Sequence, residues 1–324
     1  MSSVRSFMDS HFLHFNSGET VRAARAYEAH LEAGGKMMVT LAGAMSTGRI
    51  GTLLSQMIRA DKVHAITCTG ANLEEDLMYL LAAGTYEYLP EWRSLRTEDE
   101  VALYERGMNR VTDVAIPEDV MRHLEERLLV QWQQASEQGV SKRPAEHLWD
   151  VLGQADLEQH FQAPAQSSWV LTAREHQIPI WTPGWEDSTT GNMFAAYVWR
   201  GVLPDHRCVD TGTAQMVSLM RWYHDRHGGA DDPSLGFFQI GGGIAGDFPI
   251  CAVPCLIQDL QIEVPKWGYF CQISDAVTSY GGYSGAPPNE KITWGKLDAE
   301  SPRFMIQSDA SIVAPLIFGY LLGE

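Results

Sequence analysis

The sequence predicts an α/β protein with a central parallel sheet flanked by helices, and three observations predict it. Two short apolar runs, Lys36 to Met45 and Val63 to Cys68, each open into a glycine-bearing turn and then a helical pattern, the strand-turn-helix unit that builds parallel sheets. Two later apolar runs, Leu235 to Ile240 and Trp267 to Ser274, end in glycine-rich or polar segments. The chain then closes on a further strand and helix beginning at Phe304, with Asp309 at the junction.

In chain order, alanines with Tyr27 and Leu31 at helical spacing predict an amphipathic helix from Thr20 to Ala33, stopped by Gly34 and Gly35. The first strand runs into Ser46, Thr47 and Gly48, and a helix covers roughly Gly51 to Ala60. The second strand opens into Thr69, Gly70, Ala71 and Asn72, and the helix after it carries Glu74 and Glu75. Ligands in such sheets sit beyond the carboxyl ends of the strands, where these turns lie. No Gly-x-Gly-x-x-Gly follows either strand, so the standard dinucleotide fingerprint is absent. Small residues still admit close backbone approach, and a helix N-terminus favours phosphate; for each turn taken alone, tight packing is the favoured reading.

Arg93 to Arg143 is charge-rich with a helical pattern and reads as a solvated helical layer. A short strand near Ile178 leads to Glu186, Asp187 and Gly191, where an acidic side chain can bind ribose hydroxyls or an amine, or cap the helix that follows. Cys208 to Asp210 is expected to be another strand. Gly241, Gly242 and Gly243 directly follow an apolar strand, a conformationally costly run best explained by close approach of a ligand. His224 and His227 lie near a helix end and lack a third metal-ligating residue at recognisable spacing, so helix C-terminal charge is the favoured reading. No metal is expected.

With 324 residues, 45% hydrophobic and 20% charged, the chain can bury a large core as one domain spanning 1–324. It is expected to carry a helical extension over about 1–35 and a helical insertion over about 93–165. A net charge of −17 argues against nucleic acid or an anionic membrane as partner and favours small polycations. Five scattered cysteines show no paired spacing, and no apolar run reaches membrane-span length. A cytoplasmic, reduced protein is expected.

The segment from Ser279 to Lys296 concentrates four glycines, two prolines, aromatics and two lysines, a composition suited to an ordered binding loop. Lys296, after Trp294 and Gly295, is the candidate nucleophile.

Together these segments resemble the deoxyhypusine synthase family, in particular its bacterial deoxyhypusine synthase-like members. The resemblance rests on Ser46-Thr47-Gly48, on Thr69 to Asp76, on Glu186 and Asp187 with Gly191, and on Gly241 to Gly243. It is completed by Ser284-Gly285-Ala286 through Glu290 to Trp294-Gly295-Lys296, and by Ser308-Asp309-Ala310. It extends from about Met37 to Leu321 and implies a Rossmann-like, NAD-dependent 4-aminobutyl transferase. In the family, a lysine at the position of Lys296 accepts the butyl fragment as an imine, and an acceptor amine then displaces it. NAD is expected to contact Ser46, Thr47, Gly48, Thr69, Gly70, Ala71, Asp187, Gly242, Gly243, Ser274, Asp275, Asp309 and Ala310. A polyamine, putrescine or spermidine, is expected to contact Glu74, Glu75, Asn192, Tyr280, Tyr283 and Trp294. The family precedent adds a homotetramer, a dimer of dimers.

Departures from the eukaryotic pattern fall at Tyr280 and Tyr283, where the family has acidic residues, at Asn192 in place of an aspartate, and at Phe248 in place of a histidine. Fewer carboxylates suit a shorter diamine, because each buried ammonium needs an acidic partner. Homospermidine-type transfer to a small amine is therefore the preferred activity. Modification of a translation-factor lysine is the alternative, and a non-catalytic NAD- or polyamine-binding protein is a third.

Overall fold

A computed structural model describes residues 3–229, 232–278 and 281–324. Helices α1 (Val4–His11) and α2 (Phe15–Glu32) precede β1 (Lys36–Leu41), α3 (Gly51–Arg59), β2 (Ala65–Cys68) and α4 (Gly70–Ala82). Then follow β3 (Glu87–Tyr88), α5 (Thr97–Glu105), β4 (Met108–Val111), β5 (Val114–Pro117), α6 (Glu118–Gln138), α7 (Pro144–Leu152) and α8 (Trp169–Glu175). The second half contains β6 (Ile180–Trp181), α9 (Thr189–Trp199), α10 (Gly212–His227), β7 (Leu235–Ile240), α11 (Ile244–Ile250) and α12 (Ala252–Pro254). It finishes with β8 (Tyr269–Ser274), α13 (Glu290–Thr293), β9 (Arg303–Gln307) and α14 (Ala310–Leu322).

Six strands form one sheet in the order β6-β2-β1-β7-β8-β9, and every pairing is parallel. The chain starts at the centre with β1, winds out to β2 and β6, then crosses to the other side of β1 for β7, β8 and β9. The winding direction thus reverses between β1 and β7, and such a switch point opens a crevice at the carboxyl ends of the two strands.

Alternation along the strands divides the core. Met37, Val39 and Leu41 of β1, with Phe238, Ile240, Cys271 and Ile273, face one layer of helices. Met38, with Phe237 and Phe270, faces the other layer, built on Leu219 and Tyr223 of α10 and on Ile250 and Val253. All six residues of β7 and of β8 are buried, as expected for strands covered on both faces.

Three expectations differ from the structure. Cys208 to Asp210 is not a sheet strand, since Val209 makes only an isolated bridge to Lys142. The charge-rich region is helical in α5 and α6 but also holds β4 and β5, which with β3 just before it form a three-stranded antiparallel sheet, β3-β5-β4. Its β4-β5 hairpin closes through Thr112 and Asp113 between Val111 and Val114, and β-branched residues at these positions favour pleated pairing over helix. His227 ends α10 but is buried, its Nδ1 2.8 Å from the carbonyl of Pro233, and burial lowers its pKa, so it does not supply the helix-end charge expected there. Among the described residues, no helix is long and apolar enough to cross a membrane.

Candidate active site

Each of the six strands ends in one of the turns singled out in the sequence. Across the sheet these are Glu186-Asp187 after β6, Thr69 after β2, Ser46 after β1, Gly241 to Gly243 after β7, Ser274 at the end of β8 and Asp309 after β9. At a strand spacing of roughly 4.8 Å they form a row about 24 Å long.

The β1 and β2 ends are tied together by Asn72, a fully buried residue of α4. Its Nδ2 donates to the carbonyl of Gly43 at 2.8 Å and to that of Leu41 at 3.2 Å, and its Oδ1 accepts from the Ser46 amide at 2.9 Å. Ser46 is fully buried; its hydroxyl donates to the Asn72 carbonyl at 2.6 Å and accepts from Trp169 Nε1 at 2.9 Å. The surfaces left open on this loop are Gly43 and Gly48. Gly43 has φ +58° and Gly243 has φ +64°, and a side chain at either would meet no atom within 4 Å. Both glycines therefore hold left-handed backbone beside open space.

Glu74 and Glu75 have different surroundings. Both oxygens of Glu74 accept backbone amides at the start of α9, Thr189 at 2.9 Å and Thr190 at 2.8 Å, so the carboxylate is committed to a helix N-terminus. Glu75 Oε2 accepts the Thr47 hydroxyl at 2.6 Å. Burial, opposed by that bond and reinforced by Glu74, raises the Glu75 carboxyl to about 7. Asn192 is exposed, but its Nδ2 donates to the carbonyls of Glu186 and Ser188, bracing the turn that presents Asp187. Asp309 caps α14, accepting the Ser311 amide at 2.7 Å. Asp275 is exposed beside buried Ser274, and Ala310 opens α14.

Lys296 lies elsewhere. Its carbonyl accepts from Trp267, and Leu297 bridges Trp267, so its backbone sits by the start of β8 rather than at the strand ends. The side chain enters a pocket of about 760 Å³ on the α10–α12 face, lined by Asp247, Cys251, Tyr283, Lys291 and Trp294 among others. Lys296 is 8% exposed, and its Nζ donates to Asp247 Oδ1 at 3.4 Å. Tyr283 forms the floor: its hydroxyl donates to Gln239 Oε1 at 2.9 Å, and Lys296 Nζ is 5.5 Å from the ring centre.

A second lysine shares this pocket. Lys291 is 3% exposed, its Nζ lies 4.7 Å from the Phe270 ring centre and 4.9 Å from that of Tyr283, and it has no hydrogen-bond partner among the described residues. Burial, helped by the charge of Lys296, brings its ammonium down to about 8. The loop carrying both lysines is fixed to the glycine run by Ser284, whose hydroxyl accepts the Gly243 amide at 3.0 Å. A Cβ on Gly242 would lie 2.0 Å from that hydroxyl oxygen, which leaves room only for glycine.

Comparison with known proteins bears on this architecture. The family model described as deoxyhypusine synthase matches residues 7–321. The chain belongs to the deoxyhypusine synthase family. Family members are NAD-dependent aminobutyl transferases. Relatives include the "Deoxyhypusine synthase-like protein" of Cyanothece sp., 28% identical over 99% of this chain and 80% of that protein. The "Probable deoxyhypusine synthase 1" of Archaeoglobus fulgidus is 24% identical over 95% of this chain and 90% of its own length. A crystal structure of a putative deoxyhypusine synthase from Entamoeba histolytica shares the fold, with a TM-score of 0.60 and 13% identity over 98% of this chain and 92% of that one.

Within this family member, several expected residues are placed differently. Ser46 and Thr47 spend their hydroxyls inside the protein, and Glu74 is a helix cap, because buried polar groups must be paired within the fold. Glu74 and Glu75 do not line the Lys296 pocket. Phe248 packs in the apolar core of that face, while its neighbour Asp247 faces Lys296. Tyr280 lies outside the described residues. Trp294 is 66% exposed at the pocket rim. The sequence reading missed Asn72, Asp247 and Lys291. The tract Thr69 to Asp76 and the two lysines of the loop were visible signals, but the partners that give these residues their roles lie far off in sequence.

Proposed function

We propose that this chain is an NAD-dependent 4-aminobutyl transferase acting on small polyamines, with Lys296 forming the imine and a small amine as acceptor. The observation that carries the reading is Lys296 itself, a buried amine beside Asp247 in a pocket whose lining also includes Asp259 and Glu290. Acidic lining attracts a cationic diamine, and apolar walls exclude water from an imine.

NAD would lie along the row of strand ends, its backbone-facing surface against Gly43 and Gly243, with Asp187 and Asp309 toward its ends. Thr69, Gly70 and Ala71 open α4 beside it, and Gly242, Asp275 and Ala310 would border it. When bound there, NAD would supply the hydride acceptance and return that the transfer needs. Lys296 attacks the electrophilic carbon and holds the four-carbon fragment. Asp247 orients the ε-amine, Tyr283 supports it from below, and Trp294 covers the donor at the rim. A homotetramer in which a second subunit closes the space between the strand ends and Lys296 completes this reading.

A second reading, transfer to a lysine of a translation factor, is favoured by one feature: the pocket is open at the rim, where exposed Trp294 stands, and this would admit a protein side chain. Incubating the protein with NAD and putrescine or spermidine, without a protein acceptor, tests the choice. Mass spectrometry should find a new triamine. Its absence with every donor, together with labelling of a translation factor, would establish the second reading instead.

A further inference from the structure

The loop places two lysines, out of six in the whole chain, in one pocket, and the reaction as described uses one. Lys291 and Lys296 extend over the same Tyr283 ring at 4.9 and 5.5 Å, and the Lys296 amide donates to the Lys291 carbonyl at 2.9 Å. Their environments differ in one respect. Lys296 has Asp247 within ion-pair distance, whereas Lys291 Nζ is buried against two ring faces without a hydrogen-bond partner among the described residues. A buried ammonium without a counter-ion is costly, and the neutral amine is the form such a site accepts.

Among the described residues, the charged and titratable groups lining this pocket beside Lys291 are Asp247, Asp259, Glu290, Lys296, Cys251, Cys255 and Tyr283. Asp247 and Glu290 favour its cation and Lys296 opposes it, while Cys251 lies beside Lys296 and Asp247. Burial is the largest influence, and it leaves the Lys291 amine titrating near 8, where it can both accept and return a proton at neutral pH.

We infer that Lys291 is the acid-base partner of Lys296, taking the proton from the attacking ε-ammonium and delivering it to the group that leaves. This rests on the reading of Lys296 as the imine-forming residue. In the first step Lys296 passes one proton to Lys291, directly or through one water, and becomes a neutral amine. The nitrogen lone pair of Lys296 then forms a bond to the iminium carbon of the donor. The Lys296 nitrogen, now a cation with two hydrogens, passes one of them to the departing nitrogen; the lone pair this frees forms the second bond of the new iminium as the bond from the carbon to the departing amine breaks, and that amine takes up the proton returned by Lys291. The polyamine is neither oxidised nor reduced in this exchange.

The test needs no cofactor. The full chain is treated with butanal and cyanoborohydride, so that a lysine amine condenses with the aldehyde, loses water and is reduced to a stable adduct; the adduct at Lys296 is timed by peptide mass spectrometry across pH. In the wild type, labelling should follow an ionisation near pH 8. Lys291→Met and Lys291→Arg should both label Lys296 on the order of 100-fold more slowly at pH 8, since neither side chain is a usable base. Imidazole should restore part of the rate to Lys291→Ala, a rescue that a merely structural role would not give. Melting curves identify any variant that fails to fold; the wild-type pH curve then decides, and a curve without an ionisation near pH 8 overturns the inference. Wild-type rates in Lys291→Arg would overturn it while leaving Lys296 as the nucleophile. A wild-type adduct on Lys291 and none on Lys296 would overturn the underlying reading as well.

Discussion

The Nζ of Lys296 lies 3.4 Å from Oδ1 of Asp247, a residue four positions beyond the glycine run that ends at Gly243. The Asp247 side chain is 48% exposed, so the pair should add little to stability; its expected role is orientation. Asp247→Asn should slow borohydride trapping of Lys296 by about tenfold at pH 7 while changing the unfolding free energy by less than about 1 kcal/mol. Trapping at the wild-type rate would remove Asp247 from the site.

Lys291 imposes a cost on the fold that depends on pH. Its ammonium titrates at about 8 in the folded chain, below the ordinary 10.5, so the unfolded chain binds more protons between these values and stability rises with pH across that window. Below pH 8 the cost is fully present. Lys291→Met should therefore be more stable than the wild type at pH 7, by about 1 to 3 kcal/mol, with the difference shrinking toward pH 10.5. Urea unfolding at pH 7 and pH 10 measures this, and a Lys291→Met protein less stable at pH 7 would contradict it.

Glu75 gives the opposite slope. Its carboxyl is raised from 4.5 to about 7, so the folded chain binds more protons in that range and stability falls as pH rises through it. Glu75→Gln keeps an acceptor for Thr47 and should stabilise the protein by about 1 to 3 kcal/mol at pH 8, with no difference below about pH 4.5. Equal melting temperatures at pH 8 would argue that Glu75 has found a counter-charge.

Gly242 and Ser284 form a testable contact between the strand-end crevice and the lysine loop. Gly242→Ala drives a methyl into the Ser284 side chain and should cost roughly 1 to 3 kcal/mol. Adding Ser284→Gly should recover most of that loss despite removing the hydrogen bond to Gly243. Additive losses in the double mutant would show that the two segments are not in contact.

The sequence was most informative where local pattern and tertiary role coincide. The sheet strand from Leu235 keeps its expected boundaries, because a continuous apolar run fits a strand buried on both faces, while the strand at Phe304 forms as a half-buried edge strand. The turns at Thr69, Gly241 and Asp309 all reach the carboxyl edge of the sheet, since parallel winding places every strand-to-helix turn there. The β4-β5 hairpin was hidden by surrounding charge, and Cys208 to Asp210 carried strand-like residues but found no neighbouring sheet to join. At the site, residue type was legible and partner was not. Glu74 and Glu75 are adjacent in sequence, yet one faces the amides of α9 and the other Thr47. Phe248 and Asp247 differ by one position, and the helical turn of α11 decides which of them meets Lys296.

The central claim is that Lys296 carries the four-carbon fragment. Incubation of the full chain with NAD and spermidine or putrescine, followed by borohydride reduction and peptide mapping, tests it most directly. An aminobutyl adduct is expected on the peptide containing Lys296, dependent on NAD and lost in Lys296→Ala. An adduct of equal yield in Lys296→Ala, or one confined to another residue, would contradict it.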